Sequence, residues 1–279
     1  MIVRRINKNT YIFMSEKYYR ATIIVIFSND ECVVFDAGIS IEDVNPVKRF
    51  VDENQSKITQ LILSHGHFDH ISGACAFKPQ NVVAHKSFQS ERSKSNYYNE
   101  DFNGHTISFS NPTVTFTESL TVLFGSNELL LLSTPGHTAD SIIAIDKKGG
   151  TIFGGDTLNA IPYIRWGNIL DLVSSLKLIR DLEFVSIVMG HYGEINKKKA
   201  LDLINSSIRY LEKMKSLEET DIGDIIEKNY MELSLNIATK FKWEDFFEEE
   251  PMYDDFRNYL HNKNIQAILK REIERKTNY

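Results

Sequence analysis

The residues with the clearest chemical potential are three histidines and one aspartate within positions 65 to 70 of the sequence. They follow residues 61–63, an apolar run that predicts a buried strand. Imidazole and carboxylate groups are ligands for zinc and similar divalent metals. Because alternate residues of an extended segment face the same way, His65 and His67 could reach one ion. The turn that follows could bring Asp69 and His70 to a neighbouring ion.

Three further apolar strands are predicted to lead through a glycine into a residue that can bind metal. These residues are His137, Asp156 and His191, which follow predicted strands at residues 129–132, 151–153 and 185–189. Glycine lets the backbone turn sharply next to a ligand. The sequence therefore predicts that four strand ends supply one metal site.

The order His-x-His-x-Asp-His, Pro-Gly-His, Gly-Asp and Gly-His resembles the metallo-β-lactamase fold superfamily of metallohydrolases, over roughly residues 1–214. The resemblance implies a fold of the α/β (α+β) class, a four-layer αββα sandwich with the site at one edge. It also implies two groups of metal ligands and one bridging residue: His65, His67 and His137 for the first metal, Asp69, His70 and His191 for the second, and Asp156 between them.

Two divalent metal ions are the cofactors that this resemblance implies. A histidine at position 67, where the di-iron oxygen-reducing branch has glutamate, favours zinc, with manganese or iron left open. Two such ions would acidify a shared water to hydroxide near neutral pH. We expect Asp69 to be catalytic, since it could both bind metal and orient this nucleophile. The predicted function is a binuclear metal-dependent hydrolase, in which metal-bridging hydroxide attacks a small ester, thioester or lactone.

Three residues outside the ligand set are candidates for a supporting role. Asp36 follows an early strand and could fix an imidazole tautomer, or simply bond the strand end. Tyr163 and Tyr192 could donate a hydrogen bond to an oxyanion or line the substrate pocket, or they could serve only in packing. The remaining histidines match no ligand position of the family: His85, expected in the core or at the surface, and His105 and His261, both expected at the surface.

Other activities of the same fold stay open at this point. A mononuclear iron oxidoreductase of the persulfide dioxygenase type would use only His65, His67 and His137. A nuclease would bind a polyanion, which the net charge of -6 disfavours. The acidic balance favours a small-molecule substrate, and the intact ligand set disfavours a binding protein without activity.

The 279 residues, 42% of them hydrophobic, are enough for one large domain with an appendage. We expect a metallo-β-lactamase-like domain over residues 1–215, a helical extension over residues 216–279, and an exposed insertion at residues 86–111. No apolar run approaches the roughly 20 residues of a membrane span, and the N-terminus turns polar too early for a signal peptide. A cytoplasmic protein without membrane association is therefore expected, with a homo-oligomer left open.

Apolar residues that recur with the period of a strand or of a helix predict where the secondary-structure elements lie. Strands are predicted at residues 11–13, 22–27, 32–35, 61–63, 81–84, 113–116, 120–124, 129–132, 141–145, 151–153 and 185–189. Helices are predicted at residues 44–51, 71–77 and 169–182, and the chain becomes helical beyond residue 191.

Overall fold

Two β-sheets form the middle of the protein, whose structure is a computed structural model describing residues 1–16, 18–94, 110–218, 241–248 and 250–277. The first sheet holds seven strands in chain order: β1 (Ile2–Arg5), β2 (Thr10–Met14), β3 (Thr22–Ser28), β4 (Glu31–Phe35), β5 (Lys57–Ile62), β6 (Asn81–His85) and β7 (Val114–Phe116). Strands β1 to β4 are antiparallel, whereas β4 to β7 are parallel.

The second sheet holds six strands: β8 (Ser119–Phe124), β9 (Asn127–Ser133), β10 (Ile142–Asp146), β11 (Thr151–Phe153), β12 (Ser186–Val188) and β13 (Glu194–Asn196). They lie in the spatial order β13, β12, β11, β10, β9, β8. The pair β11 and β12 is parallel, and the other pairs are antiparallel.

Alternation along the strands places one set of apolar side chains between the sheets and another set outside them. On β3, Ile24 and Ile26 face the second sheet, whereas Ile23 and Val25 face the helices on the other side. Both faces of the first sheet are therefore buried, which explains why its strands read as continuous apolar runs.

Helices cover the outer face of each sheet. Three lie outside the first sheet, namely α1 (Ile41–Glu53), α2 (Phe68–Ile71) and α3 (Phe88–Lys94). Three lie outside the second sheet, namely α4 (Ile169–Asp181), α5 (Lys197–Glu218) and α6 (Pro251–Thr277). This arrangement confirms the predicted four-layer αββα sandwich and its C-terminal helices. One apolar cluster runs from β10 to α6, so α6 shares a core with the second sheet. The domain division at residue 215 stays a prediction.

The predicted helix at residues 71–77 is wrong as a single element. Helix α2 ends at Ile71, and a separate 3-10 turn spans Ala74–Ala76. Gly73 lies between them, so close to the backbone after β4 that an added Cβ would sit 2.3 Å from the carbonyl oxygen of Ala37. This close approach leaves no space for a side chain at position 73.

The predicted exposed insertion at residues 86–111 begins with a helix, in which Gln89, Ser90 and Ser93 are exposed as expected. Residues Phe88–Lys94 form α3, whose Phe88 is buried against the first sheet. Residues 95–109 lie outside the described part of the chain. Strands β1 and β13 were not predicted, because both are short and most of their side chains are exposed. None of the described helices has the length and apolarity that a membrane span requires.

Replacement of Ile26 by alanine tests whether this side chain packs in the core between the two sheets. We expect Ile26→Ala to lower the free energy of unfolding by about 2–5 kcal/mol, since it leaves a cavity in a buried core. Leu123, on β8, is 70% exposed, and we expect Leu123→Ala to change stability by less than about 0.5 kcal/mol. Urea unfolding followed by circular dichroism measures both, and equal losses would contradict the assignment of the two faces.

Candidate metal centre

Four strands end at one edge of the sandwich, and each leads into side chains of the metal-ligand type. Strand β5 leads into His65 and His67, β9 into His137, β11 into Asp156 and β12 into His191. Among the described residues, two groups form in which all ligand-type atoms lie within 4.8 Å of one another: His65, His67, His137 and Asp156 in the first, and Asp69, His70 and His191 in the second. The structure thus brings all seven predicted ligands together.

In the first group, three imidazole nitrogens converge on one point. Nε2 of His137 lies 3.0 Å from Nδ1 of His67 and 3.3 Å from Nε2 of His65. A tetrahedral zinc ion with bonds of about 2.0–2.1 Å separates its ligand atoms by about 3.3 Å. The spacing of these nitrogens therefore fits a shared divalent ion.

In the second group, a carboxylate lies beside two imidazoles. Oδ2 of Asp69 is 3.4 Å from Nε2 of His191 and 3.8 Å from Nε2 of His70. The Asp156 carboxylate lies between the two groups, with Oδ1 3.4 Å from Nε2 of His70. Its Oδ2 is 3.6 Å from Nε2 of His191 and 3.7 Å from Nε2 of His137. Asp156 is therefore the one carboxylate of the set within reach of ions in both groups.

Backbone carbonyls fix the orientation of two imidazoles. Nδ1 of His137 lies 2.9 Å from the carbonyl oxygen of Tyr163, and Nδ1 of His191 lies 3.1 Å from that of Tyr19. A carbonyl only accepts hydrogen bonds, so each Nδ1 carries the proton and donates it. In the neutral rings, each Nε2 therefore presents a lone pair to the centre of the site.

Asp36 performs the same function for the imidazoles that follow β5. Its Oδ2 accepts a hydrogen bond from Nδ1 of His70 at 2.8 Å and from the hydroxyl of Ser64 at 2.8 Å, and its Oδ1 accepts one from the Ser64 backbone. The Ser64 hydroxyl lies 3.0 Å from Nδ1 of His65. The carboxylate of Asp36 thus bonds one ligand-type imidazole directly and a second through Ser64, in the orienting position that its place after β4 predicts.

Asp36 takes a backbone conformation that is costly outside glycine. Its φ is 63°, and Tyr19 and Tyr192 have φ values of 55° and 66°. Such residues cost of order 1–3 kcal/mol each and persist where their surroundings determine them. All three lie beside the ligand-type groups, so the site carries backbone strain.

Glycines allow the ligand-bearing turns to approach each other. A Cβ at Gly190, next to His191, would lie 2.2 Å from Oδ1 of Asp156. A Cβ at Gly136, next to His137, would lie 2.2 Å from the backbone of Leu172. The glycines that precede these two histidines are thus required by close packing.

Burial keeps the first group of imidazoles neutral. It lowers the pKa of His65, His67 and His137, and the neighbouring imidazoles lower the pKa of His65 and His67 further, that of His67 to about 3. At neutral pH these three rings are free of the extra proton that would compete with a metal ion.

In the second group, the pKa values of the imidazoles are raised rather than lowered. Burial lowers the pKa of His191, but the carboxylates of Asp156 and Asp69 outweigh it and raise the pKa to about 9. The pKa of His70 is likewise raised, because Asp156, Asp69 and Asp36 outweigh its burial. Burial raises the pKa of Asp69, yet His70 and His191 lower it to about 2. The carboxylate of Asp69 in this group, and that of Asp156 beside it, are therefore anionic and require positive charge nearby.

Two buried atoms of the site lack hydrogen bonds. Within the described part of the chain, neither Nε2 of His70 nor Oδ1 of Asp156 has a hydrogen-bond partner. Buried polar atoms without partners are rare and costly. The two atoms lie 3.4 Å apart, one in each ligand-type group, so the donor set fits divalent ions that would satisfy them.

Aromatic rings flank the two groups. The ring of Trp166 lies 5.1 Å from that of His67, and the ring of Phe256, on α6, lies 5.2 Å from that of His191. Trp166 lies three residues after Tyr163, which is one of the two tyrosines with a possible place in the pocket wall. Phe256 was not predicted, because a phenylalanine on a helix carries no signal for a distant site.

The two candidate tyrosines lie in different surroundings. The ring of Tyr163 lies 5.9 Å from that of His137, beside the first group. The ring of Tyr192 packs against Tyr253 and Phe256, and burial raises its pKa to about 12. A hydrogen bond from either hydroxyl to an oxyanion stays a prediction.

The histidines outside the site have structural partners where the structure describes them. His85 is buried, with Nε2 2.9 Å from the carbonyl oxygen of Thr117. The expectation of a surface position for His261 is wrong, since this residue is buried and bonds Tyr210 and the Phe241 carbonyl. His261 lies on the apolar face of α6, three residues before Asn264, and this placement could have indicated its burial. His105 lies outside the described residues.

Comparison with known proteins places this site in a family. A family model described as the metallo-beta-lactamase superfamily matches residues 19–191. The chain is 25% identical over 252 residues to a hydroxyacylglutathione hydrolase of Bartonella henselae, covering 89% of this chain and 88% of that protein. It is 26% identical over 250 residues to hydroxyacylglutathione hydrolase 1 of Vibrio vulnificus, covering 81% and 88%.

Solved structures share the fold. A metallo-beta-lactamase from Pontibacter korlensis superposes with a TM-score of 0.62 at 17% identity, over 76% of this chain and 98% of that one. The sec-alkyl sulfatase PisA1 superposes with a TM-score of 0.73 at 12% identity, over 96% of this chain and 50% of that one. Because the family pattern matches more than half of its residues and includes all seven ligand-type positions, this chain belongs to the metallo-beta-lactamase superfamily and is a metal-dependent hydrolase.

Proposed function

We propose that the protein hydrolyses a small acyl thioester at a centre of two divalent metal ions, with zinc as the native metal. The position of Asp156 between two complete groups of ligand-type atoms carries this proposal. A single-ion iron oxidoreductase would leave Asp69, His70 and His191 without a function, although their ligand-type atoms also lie within 4.8 Å of one another.

The choice of thioester over other substrates rests on relatives. The similar proteins of Bartonella henselae and Vibrio vulnificus carry the name hydroxyacylglutathione hydrolase, which is a thioester hydrolase. Simple esters and lactones have the same reactive carbonyl and remain in the substrate class. The net charge of -6 disfavours a polyanionic substrate such as RNA or DNA.

In the proposed reaction, the residues of the chain hold the metals and orient the attack. Two bound divalent ions would supply Lewis acidity and lower the pKa of water toward neutrality. Asp69, whose side chain is 19% exposed, accepts a hydrogen bond from the attacking water and directs it at the thioester carbon. A C–O bond forms and the C–S bond breaks. One proton of the water ends on the departing sulfur and the other is released to solvent, so that a thiol and a carboxylate leave the site.

Thioester turnover with defined metal content tests this function. Protein loaded with zinc should release thiol from acyl thioesters of N-acetylcysteamine, and His67→Ala should lose metal and at least about 100-fold of this activity, because each ligand supports the site. His85→Ala removes a buried histidine outside the site and should retain zinc and activity. A wild-type protein that holds one iron ion and consumes oxygen without hydrolysing thioesters would contradict the proposal.

Substitution of Asp36 tests whether the residue that bonds His70 and Ser64 supports metal binding. We expect Asp36→Asn to weaken zinc binding roughly 10- to 100-fold, since it removes the charge that orients His70 and Ser64. Asp146 is a buried carboxylate that bonds Gly149 away from the site, so Asp146→Asn is the matched control. Competition with a chromophoric chelator measures both affinities. Equal affinities for the two variants would show that Asp36 has only a local structural role.

Zinc binding should depend on pH because it displaces protons. In the metal-free protein, His191 has a pKa near 9, so its ion pairs stabilise the fold below about pH 6.5, and this contribution is lost as pH rises through about 9. Zinc must displace that proton, so zinc affinity should rise between these values. At pH 7, calorimetry in buffers of different ionisation enthalpy should detect release of at least about one proton per chain. Absence of proton release at pH 7 would contradict a protonated second group.

A further inference from the structure

Helix α6 carries three polar side chains at seven-residue intervals on the face that packs against the protein. They are Arg257, Asn264 and Arg271, and we call them the polar stripe. Seven residues are close to two helical turns, so the three side chains form one row along the helix. Arg257 and Asn264 are 2% and 0% exposed. Burial of such groups is costly unless they are bonded, so their partners indicate their purpose.

Each member of the polar stripe has a partner in residues 158–168, the segment after Asp156 that we call the ligand loop, while Arg257 also bonds the Glu248 carbonyl and Asn264 also bonds Tyr210. Nε of Arg257 donates to the carbonyl oxygen of Ala160 at 3.0 Å. Nδ2 of Asn264 donates to that of Pro162 at 2.7 Å. The ligand loop has neither helix nor strand to satisfy its backbone, so these side chains satisfy it instead.

The contacts continue along the ligand loop in the order of the helix. Oδ1 of Asn264 accepts a hydrogen bond from the backbone N–H of Ile164 at 3.0 Å. Nη2 of Arg271 lies 2.5 Å from the carbonyl oxygen of Ile164 and 3.0 Å from that of Gly167. Each member of the polar stripe therefore holds a successive part of the loop.

The opposite side of the ligand loop touches the first group of ligands. The carbonyl of Tyr163, between the two positions that Asn264 holds, accepts the hydrogen bond from Nδ1 of His137 at 2.9 Å. The ring of Trp166 lies against His67 at 5.1 Å. The loop thus lies between the polar stripe and two metal-ligand candidates.

We propose that the polar stripe positions His137 as a metal ligand by fixing the carbonyl of Tyr163, with Asn264 as its central positioning residue. The inference rests on the proposed function in so far as His137 binds metal. Asn264 holds both the carbonyl of Pro162 and the N–H of Ile164, so it sets the direction of the peptide that contains the Tyr163 carbonyl. The C-terminal helix is then a part of the metal centre.

The test compares two asparagine-to-alanine substitutions on the same helix. Asn264→Ala removes the contacts to the ligand loop, whereas Asn258→Ala removes a bond from α6 to Trp243 and leaves the loop untouched. We expect Asn264→Ala to weaken zinc binding roughly fivefold, below the roughly 10- to 100-fold loss for groups that bond a ligand directly. Asn258→Ala should bind zinc as the wild type does. Affinities are compared where thermal unfolding shows each variant to be folded.

A spectroscopic signature separates positioning from general stability. In protein labelled with ¹⁵N-histidine, the Nδ1–H signal of His137 should move in Asn264→Ala, while that of His70, which bonds Asp36, should stay. Asn258→Ala should move neither signal. Arg271→Ala is a second variant at a half-buried position, and Arg271→Lys, which keeps a donor, should restore part of the lost affinity.

The outcomes distinguish this inference from the proposed function. Unchanged zinc affinity and an unmoved His137 signal in both Asn264→Ala and Arg271→Ala would overturn the inference. A wild-type protein that binds no divalent metal would overturn the proposed function. In that case the His137 signal of the metal-free protein still tests whether the polar stripe fixes this imidazole.

Discussion

The close approach of five imidazoles and two carboxylates is the constraint on which the rest of the structure depends. These groups face one another across distances of 3.0 to 3.8 Å, and most of them are buried. Burial of unpaired polar and charged groups is costly, so they require ions or protons between them. The strand ends, the glycines beside the ligands and the strained backbone at Asp36 all serve to hold this arrangement.

A second set of bonds surrounds the ligands and orients four of the five imidazoles. Asp36 and Ser64 belong to the first sheet and its loops, whereas the carbonyls of Tyr19 and Tyr163 come from opposite sides of the site. The Tyr163 carbonyl depends in turn on α6, which lies more than 80 residues later in the sequence. The helices beyond the second sheet therefore belong to the same network as the strand ends.

The sequence predicts the centre of this protein better than its surroundings. The seven ligand positions follow from histidines and aspartates placed after apolar runs, because strand ends of stacked sheets converge at one edge. The partners of α6 were not predictable in this way, since Asn264 and Arg271 read as ordinary polar residues on a helix until the ligand loop beneath them is known. The predicted surface position of His261 was wrong for the same reason.

The most direct test of a two-ion centre is anomalous diffraction at the zinc edge from crystals of the zinc-loaded protein. We predict two peaks about 3.5–4 Å apart, one beside His65, His67 and His137, and the other beside Asp69, His70 and His191, with Asp156 in contact with both. A single peak confined to the first three histidines at full zinc loading, or peaks away from these residues, would contradict the account.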